Sequence, residues 1–448
     1  MSGVKEKENL YVTDFDRELK NDAKKPAWLG SIKESAFKRF LELGFPTTRL
    51  ENWKYTNASP IATTPFALGA PDLKSFDARV LETAPLGDLD CARIVVIDGV
   101  YAGTIGGKTS NNSAVRVESL AKAIAEEDPI VTKHLTRYAN YTKNAFAALN
   151  TAFIKDGVAL HIPDGAIVED PIYILFVSTG NGPNGVSHPR ALVTAGRDCQ
   201  ATVIQGFIGF GSEKWLTNAV TEIVIGENSR IDHFNLQDES RQAYHVATLQ
   251  VNQGRSSGFH THSIALGGAL VRNDVNDVLD GEGAEATLDG LYVETGDQFV
   301  DNHTLIDHAQ PHCSSREVYK GILDGKAKGV FDGSIIVRKD AQKTDARQSN
   351  KNLLLSGEAE INTKPQLEIF ADDVKCSHGA TIGQIDQESI FYLRSRGIDL
   401  ESARSIMMYA FANEILDRIK SERLRSKIGK AVFARLSGER RLIQEPVE

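Results

Sequence analysis

A cysteine and a histidine two residues apart, Cys376 and His378, lie in the stretch Phe370-Ala-Asp-Asp-Val-Lys-Cys-Ser-His-Gly-Ala-Thr-Ile-Gly383, just after the carboxylates Asp372 and Asp373. The flanking Leu367-Glu-Ile369 and Thr381-Ile382 predict an extended segment, and the period of two in a strand then puts the Cys376 and His378 side chains on one face. A thiol and an imidazole so placed can hold one borderline metal ion, or the thiolate can pass sulfur. Two donors do not close a tetrahedral site, so a partner surface would have to supply the rest. The competing reading is structural, because Cys often serves as a small buried hydrophobe and His as a satisfied core group.

Other donors are spread along the chain. His260-Thr-His262 would also set two imidazoles on one strand face, and His303, His308, His312 and Cys313 fall within eleven residues. Together they suggest an alternative function, a β-helical metal-dependent enzyme. The His303 to His312 spacing matches no standard zinc signature, however, and no His-Glu-x-x-His is present. Corner or stacking positions suit those residues better. The four cysteines (Cys91, Cys199, Cys313, Cys376) are far apart and make no Cys-x-x-Cys, which argues against a closed structural zinc site or a self-contained iron–sulfur protein. With no Gly-x-x-x-x-Gly-Lys-Ser/Thr, no nucleotide is expected on this chain. There is also no Gly-x-Gly-x-x-Gly opening a helix after a strand and no Gly-x-Ser-x-Gly elbow.

The balance of residues narrows the setting. The 448 residues are 41% apolar and 25% charged, with net charge −9, so neither nucleic acid nor a membrane is an expected partner. The start of the chain has no apolar h-region, and dispersed cysteines suit reduced thiols, so a cytoplasmic location is expected. The basic stretch from Arg418 to Arg441 is the exception in charge. It reads as a solvated helix face or as a dock for an acidic protein partner.

Three regions must position these residues. Residues 1–157 are expected to form a mostly helical N-terminal domain, with Trp28, Ile32, Phe37, Phe40 and Leu41 at roughly helical spacing before Gly44 and Pro46, and one strand at Ala92–Ile97. Trp53 and Tyr55 read as a packing clasp that leaves Arg49 and Lys54 in solvent. Residues 158–384 alternate short apolar runs with Gly, Asn and Asp clusters, and Gly226, Gly283, Gly325 and Gly357 each precede a strand at irregular intervals. No blade-length period marks a propeller, and a sandwich of this length would be large for one core. A parallel β-helix tolerates irregular insertions and is preferred. Residues 385–448 are expected to be helical. There, Ala403, Ile406, Met407, Ala410, Phe411 and Ile415 form one apolar stripe, which serves core packing and, in part, a partner groove.

A longer phrase surrounds the Cys-Ser-His motif. Gly329-Val-Phe-Asp-Gly-Ser334, Ala341-Gln-Lys-Thr-Asp-Ala-Arg-Gln-Ser-Asn-Lys-Asn-Leu-Leu-Leu355 and Thr363-Lys-Pro-Gln-Leu-Glu-Ile369 lead into it, and Phe391-Tyr-Leu-Arg-Ser-Arg-Gly-Ile398 follows. In this order the phrases resemble the SufB/SufD family of iron–sulfur cluster assembly proteins. Arg49-Leu-Glu-Asn-Trp-Lys-Tyr-Thr56 and Asn144-Ala-Phe-Ala-Ala-Leu-Asn-Thr-Ala-Phe153 extend the likeness towards the N-terminus. The Cys-Ser-His-Gly phrase is similar to the SufD branch, since the SufB branch typically lacks it and carries additional N-terminal cysteines. The resemblance implies a mainly β fold, a right-handed parallel β-helix core flanked by N-terminal and C-terminal helical domains. It also implies a non-enzymatic scaffold of the SUF system that pairs with a SufB-like subunit through the β-helix end and with a SufC-like ATPase through the C-terminal helices. The chain in isolation could form a homodimer. Cys376 and His378 would then be this chain's share of a transient iron–sulfur cluster site at the partner interface, with Asp372 and Asp373 as supporting groups, and Ile406, Met407 and Phe411 would face the ATPase. Flavin is expected only in the assembled complex.

Overall fold

The computed structural model describes residues 11–19, 26–68, 73, 81–82, 84, 86–105, 115–180, 184–210 and 213–437. It is mainly β, a parallel β-solenoid of about seven turns flanked by N-terminal and C-terminal helices. Strands alternate between two sheets. Trp215–Ile225, Tyr244–Gln253, Leu270–Leu279, Phe299–His308, Lys328–Val337 and Glu360–Ile369 stack in the first sheet, and Arg230–Asp238, Gly258–Ala265, Glu285–Glu294, Ser314–Leu323, Asp345–Leu354 and Lys375–Gln384 stack in the second. The turns that carry Gly226, Gly283, Gly325 and Gly357 are the corners between the sheets, as the sequence suggests. Their irregular intervals follow from turns of unequal length. His262 pairs with Asp289 and Val318 with Ser349, offsets of 27 and 31 residues per turn.

Alternation divides each strand between the solenoid interior and an outer face. Ile231, Phe259, Ala286, Ser315 and Ala346 line up as one interior column, and His233, Thr261, Leu288, Glu317 and Gln348 as the next. The apolar members of the first column are fully buried, a gain of roughly 1.5–3 kcal/mol for each large aliphatic or aromatic side chain. The outer faces are covered from opposite sides. Helix Ala145–Ala152 and the Trp53 segment pack on the first sheet, while helices Leu400–Leu416 and Glu422–Leu436 lie on the second.

Buried ion pairs fasten the N-terminal cover. Arg190 donates to Glu222 at 2.5 Å with neither side chain exposed, and Glu222 also accepts the backbone N–H groups of Thr136, Tyr138 and Ala139. Arg272 donates to Asp301 at 2.5 Å and lies 4.0 Å over the Trp53 ring, which stacks on Phe146. Half of the predicted aromatic clasp is therefore present: Trp53 is buried, whereas Tyr55 is 40% exposed. The reason is that only Trp53 meets both a cation and an aromatic face.

The two ends of the solenoid differ. At the N-terminal end Arg116–Ser119 pairs antiparallel with Gly157–Ile162, and Arg93–Ile97 carries Val100–Ile105 antiparallel across the tight turn Asp98-Gly99. Both turn residues have positive φ (48° and 84°), the conformation of a two-residue hairpin turn that suits Asp-Gly. Arg93–Ile97 is the strand expected at Ala92–Ile97, while Val100–Ile105 and Arg116–Ser119 are added strands within the region expected to be mostly helical, and they stand last in both sheets. At the other end Glu360–Ile369 and Lys375–Gln384 are each the last strand of their sheet.

Candidate functional site: the open end of the solenoid

An open edge exposes a row of backbone donors and acceptors that another strand can continue. In the last turn the interior positions are also uncovered. From the first sheet come Ile361, Thr363, Pro365, Leu367 and Ile369, in register behind Gly329, Phe331, Gly333, Ile335 and Val337. From the second come Cys376, His378, Ala380 and Ile382, in register behind Ala346, Gln348, Asn350 and Asn352. Cys376 and His378 thus share a face, as the period of two requires, and that face is the interior one at the end of the stack.

Their surroundings differ. Cys376 is half-buried against the interior core together with Ile361 and Leu367. Burial pushes its thiol upward, against the opposing backbone N–H of Ala346, so alone it is a thiol and becomes a thiolate only when a base or metal takes the proton. His378 is exposed. Behind it, Gln348 donates to the buried Glu317 carboxylate at 2.6 Å, whose pKa burial pushes up to about 7. Ile369, Phe370 and Ile382 are 40%, 62% and 51% exposed around the rim. Sequence reading missed this apolar rim and the interior residues Ile361 and Leu367, because nothing in the local pattern says which turn is last.

Asp372 and Asp373 stand in the corner before the strand and are exposed. Asp373 is paired with Lys343, and its backbone N–H donates to Gln342, so it serves the corner directly. The C-terminal stripe is also rotated from its expected position. Helix Leu400–Leu416 buries Ala403, Met408, Ala412, Ile415 and Leu416, while Ile406 is 45% exposed. Met407 and Phe411 lean half-buried on the second-sheet core, with Lys320 held 4.0 Å over the Phe411 ring. Part of the basic stretch is engaged too: Arg418 donates to Asp289 at 2.6 Å and Lys427 pairs with Asp88. Arg440 and Arg441 lie outside the described residues.

The alternative metalloenzyme set does not assemble as one group. His303 faces out from the first sheet beside Asp301, 3.0 Å away. His308 points inward to the Ser315 hydroxyl at 2.9 Å, His312 holds a positive-φ corner, and the Cys313 thiol donates to the Gly281 carbonyl. Alternation along one strand and the corner after it send these side chains in different directions. His260 and His262 do meet, on the outer face of the second sheet, with their rings 4.2 Å apart.

A parallel solenoid flanked by helices, with an inward Cys–His pair on the last strand of one sheet, defines the class of protein by fold and site. Comparison with known sequences gives the family. The profile of the SUF system FeS cluster assembly SufBD core domain matches residues 176–411, and that of the SufBD protein N-terminal region matches residues 5–174. The chain belongs to the SufBD family of the SUF iron–sulfur cluster assembly system. It is 30% identical to an iron–sulfur cluster assembly SufBD family protein of Synechocystis, over 96% of this chain and 97% of the relative. It is 31% identical to the iron–sulfur cluster assembly protein SufD of Escherichia coli, over 89% and 91%, and 23% identical to SufD of Bacillus subtilis, over 90% and 93%.

Proposed function

We propose that this chain is a scaffold subunit, not itself an enzyme, that offers half of a cluster-building site to a SufB-like partner and helps recruit iron to it. The observation that carries the reading is the uncovered last turn, which holds one thiol and one imidazole on its interior face. A partner strand on each open edge would continue both sheets, bury Ile369, Phe370 and Ile382, and bring its own thiolate against Cys376 and His378. Two donors are too few for a cluster, which takes about four, so the shortage is itself a reason to expect a second chain. The cluster is cargo that forms there and leaves.

Within that site His378 is the ligand or proton-handling group and Cys376 a supporting thiol. Metal binding to Cys376 releases the thiol proton, and an imidazole on the same strand face is a group of the right kind to carry it away. A SufC-like ATPase would supply nucleotide chemistry that this chain lacks a motif for. The helices over 387–436, with Phe391 and Ile406 exposed and Met407 and Phe411 beneath, are its proposed dock. Flavin is reserved for the assembled complex, a homodimer is the state proposed for the isolated chain, and the cytoplasm is the proposed location.

Anaerobic co-expression with SufB-like and SufC-like subunits tests the reading by iron and labile-sulfide content. The assembled complex should carry labile sulfide together with iron, while this chain alone should carry no labile sulfide. Equal labile-sulfide content with and without the partners would overturn it.

A further inference from the structure

A second donor set lies on the outer face of the second sheet, well inside the stack. His260 Nε2 is 2.8 Å from Asp289 Oδ2, and His262 Nδ1 is 3.9 Å from the same oxygen. One donor atom from each of the three residues lies within 4.8 Å of the other two, the one such group of His, Cys, Asp or Glu donors among the described residues. Two donors on one ion, each at ~2.1 Å, stand about 3 to 3.5 Å apart. The set therefore closes on an ion by a shift of about an ångström. Asp289 was beyond sequence reading because it sits one full turn of the solenoid from the histidines.

The surroundings favour a ligand. His262 is 2% exposed, yet its Nδ1 has no hydrogen-bond partner, an arrangement that is costly for a buried ring nitrogen unless something binds it. Arg418 Nε holds Asp289 Oδ1 at 2.6 Å, so Oδ2 is the oxygen turned to the imidazoles. Asp232 Oδ1 stands 3.8 Å from His260 Nδ1 and 3.9 Å from Lys420 Nζ, beyond hydrogen-bond reach of the imidazole but on the side from which a carboxylate orients a metal-ligating histidine. The His260 side chain is 16% exposed and leaves a path to solvent.

We propose that His260, His262 and Asp289 bind one divalent first-row transition ion, of the ferrous or zinc class, through two imidazole nitrogens and one carboxylate oxygen. Two nitrogens and an oxygen with open positions suit such ions better than calcium or magnesium, which prefer all-oxygen shells. The Arg418 cation opposes the ion and keeps affinity modest. The proposal is independent of the open end and would stand or fall without it.

The test is anaerobic titration of Co(II) into the full chain carrying Cys376→Ser and His378→Ala, which removes the open-end donors. One equivalent should bind, with ligand-field bands free of thiolate charge transfer and displaced by Zn(II) or Fe(II). Adding His260→Gln should weaken binding by at least about tenfold, the usual scale for a perturbed ligand shell. Adding Arg418→Gln should instead tighten it, because a like charge leaves. Absence of binding in the starting variant, or affinity unchanged by His260→Gln, would overturn the proposal. Thermal midpoints of each variant distinguish lost ligation from lost folding, and Arg418→Gln, which keeps all three donors, still decides if His260→Gln does not fold.

Discussion

Glu317 sits two turns behind the last strand, between Leu288 and Gln348 in the interior column that finishes at His378. It is 1% exposed and receives the Gln348 amide. Burial raises its pKa from 4.5 to about 7, so the native state keeps the proton that an unfolded chain would release. Stability is therefore full below pH 4.5 and falls as pH rises towards 7, after which the penalty is constant. The shift corresponds to roughly 3 kcal/mol. Glu317→Gln should raise the thermal midpoint at pH 8 and leave it unchanged below pH 4.5, a difference that thermal melts across pH would read. The residue scale also marks what spacing reveals. Cys-x-His on a strand was enough to place Cys376 and His378 on one face, but not to say that the face is the interior, because the pattern of a last turn looks like any other.

Among the elements, the strand Lys375–Gln384 carries the most information about function. Its nine exposed residues of ten, against mostly buried residues in Ser314–Leu323 two strands earlier in the same sheet, come from its position at the edge and not from its composition. Ile382 there is 51% exposed although it is in register behind the buried Asn352. Ile382→Asp should therefore leave the midpoint of the isolated chain nearly unchanged, while a charge forced into the paired interface should weaken association with a SufB-like partner by roughly tenfold or more. Calorimetry on the pair measures this, and unchanged affinity would place the interface elsewhere. Helix Leu400–Leu416 shows the limit of a stripe argument. A count of apolar residues at helical spacing put Ile406 beside Ala403 and Ile415, but the surface that the helix meets selects Met408 and Ala412 instead.

For the whole molecule, the strand-and-turn body and its helical flanks were legible because corners punctuate the apolar runs. The turn length, 26 residues between Tyr244 and Leu270 but 32 between Lys328 and Glu360, was not, since irregular corners hide the repeat, and with it the meeting of Asp289 with His260 and His262. At the N-terminal end the strand at Arg93–Ile97 was legible, but its antiparallel neighbour Val100–Ile105 and the strand Arg116–Ser119 were not, because no apolar run marks them. What the assembled fold adds is polarity along the solenoid, with antiparallel strands at one end and, at the other, a last parallel turn that leaves Cys376 and His378 on its interior face. That polarity is the reason to look for function at the open end. The most direct measurement is cluster formation by the anaerobic complex of this chain carrying His378→Ala with its SufB-like and SufC-like partners, followed by iron and labile-sulfide analysis. The complex should assemble in its normal stoichiometry and carry little or no cluster. Normal cluster content in that correctly assembled complex would contradict the account.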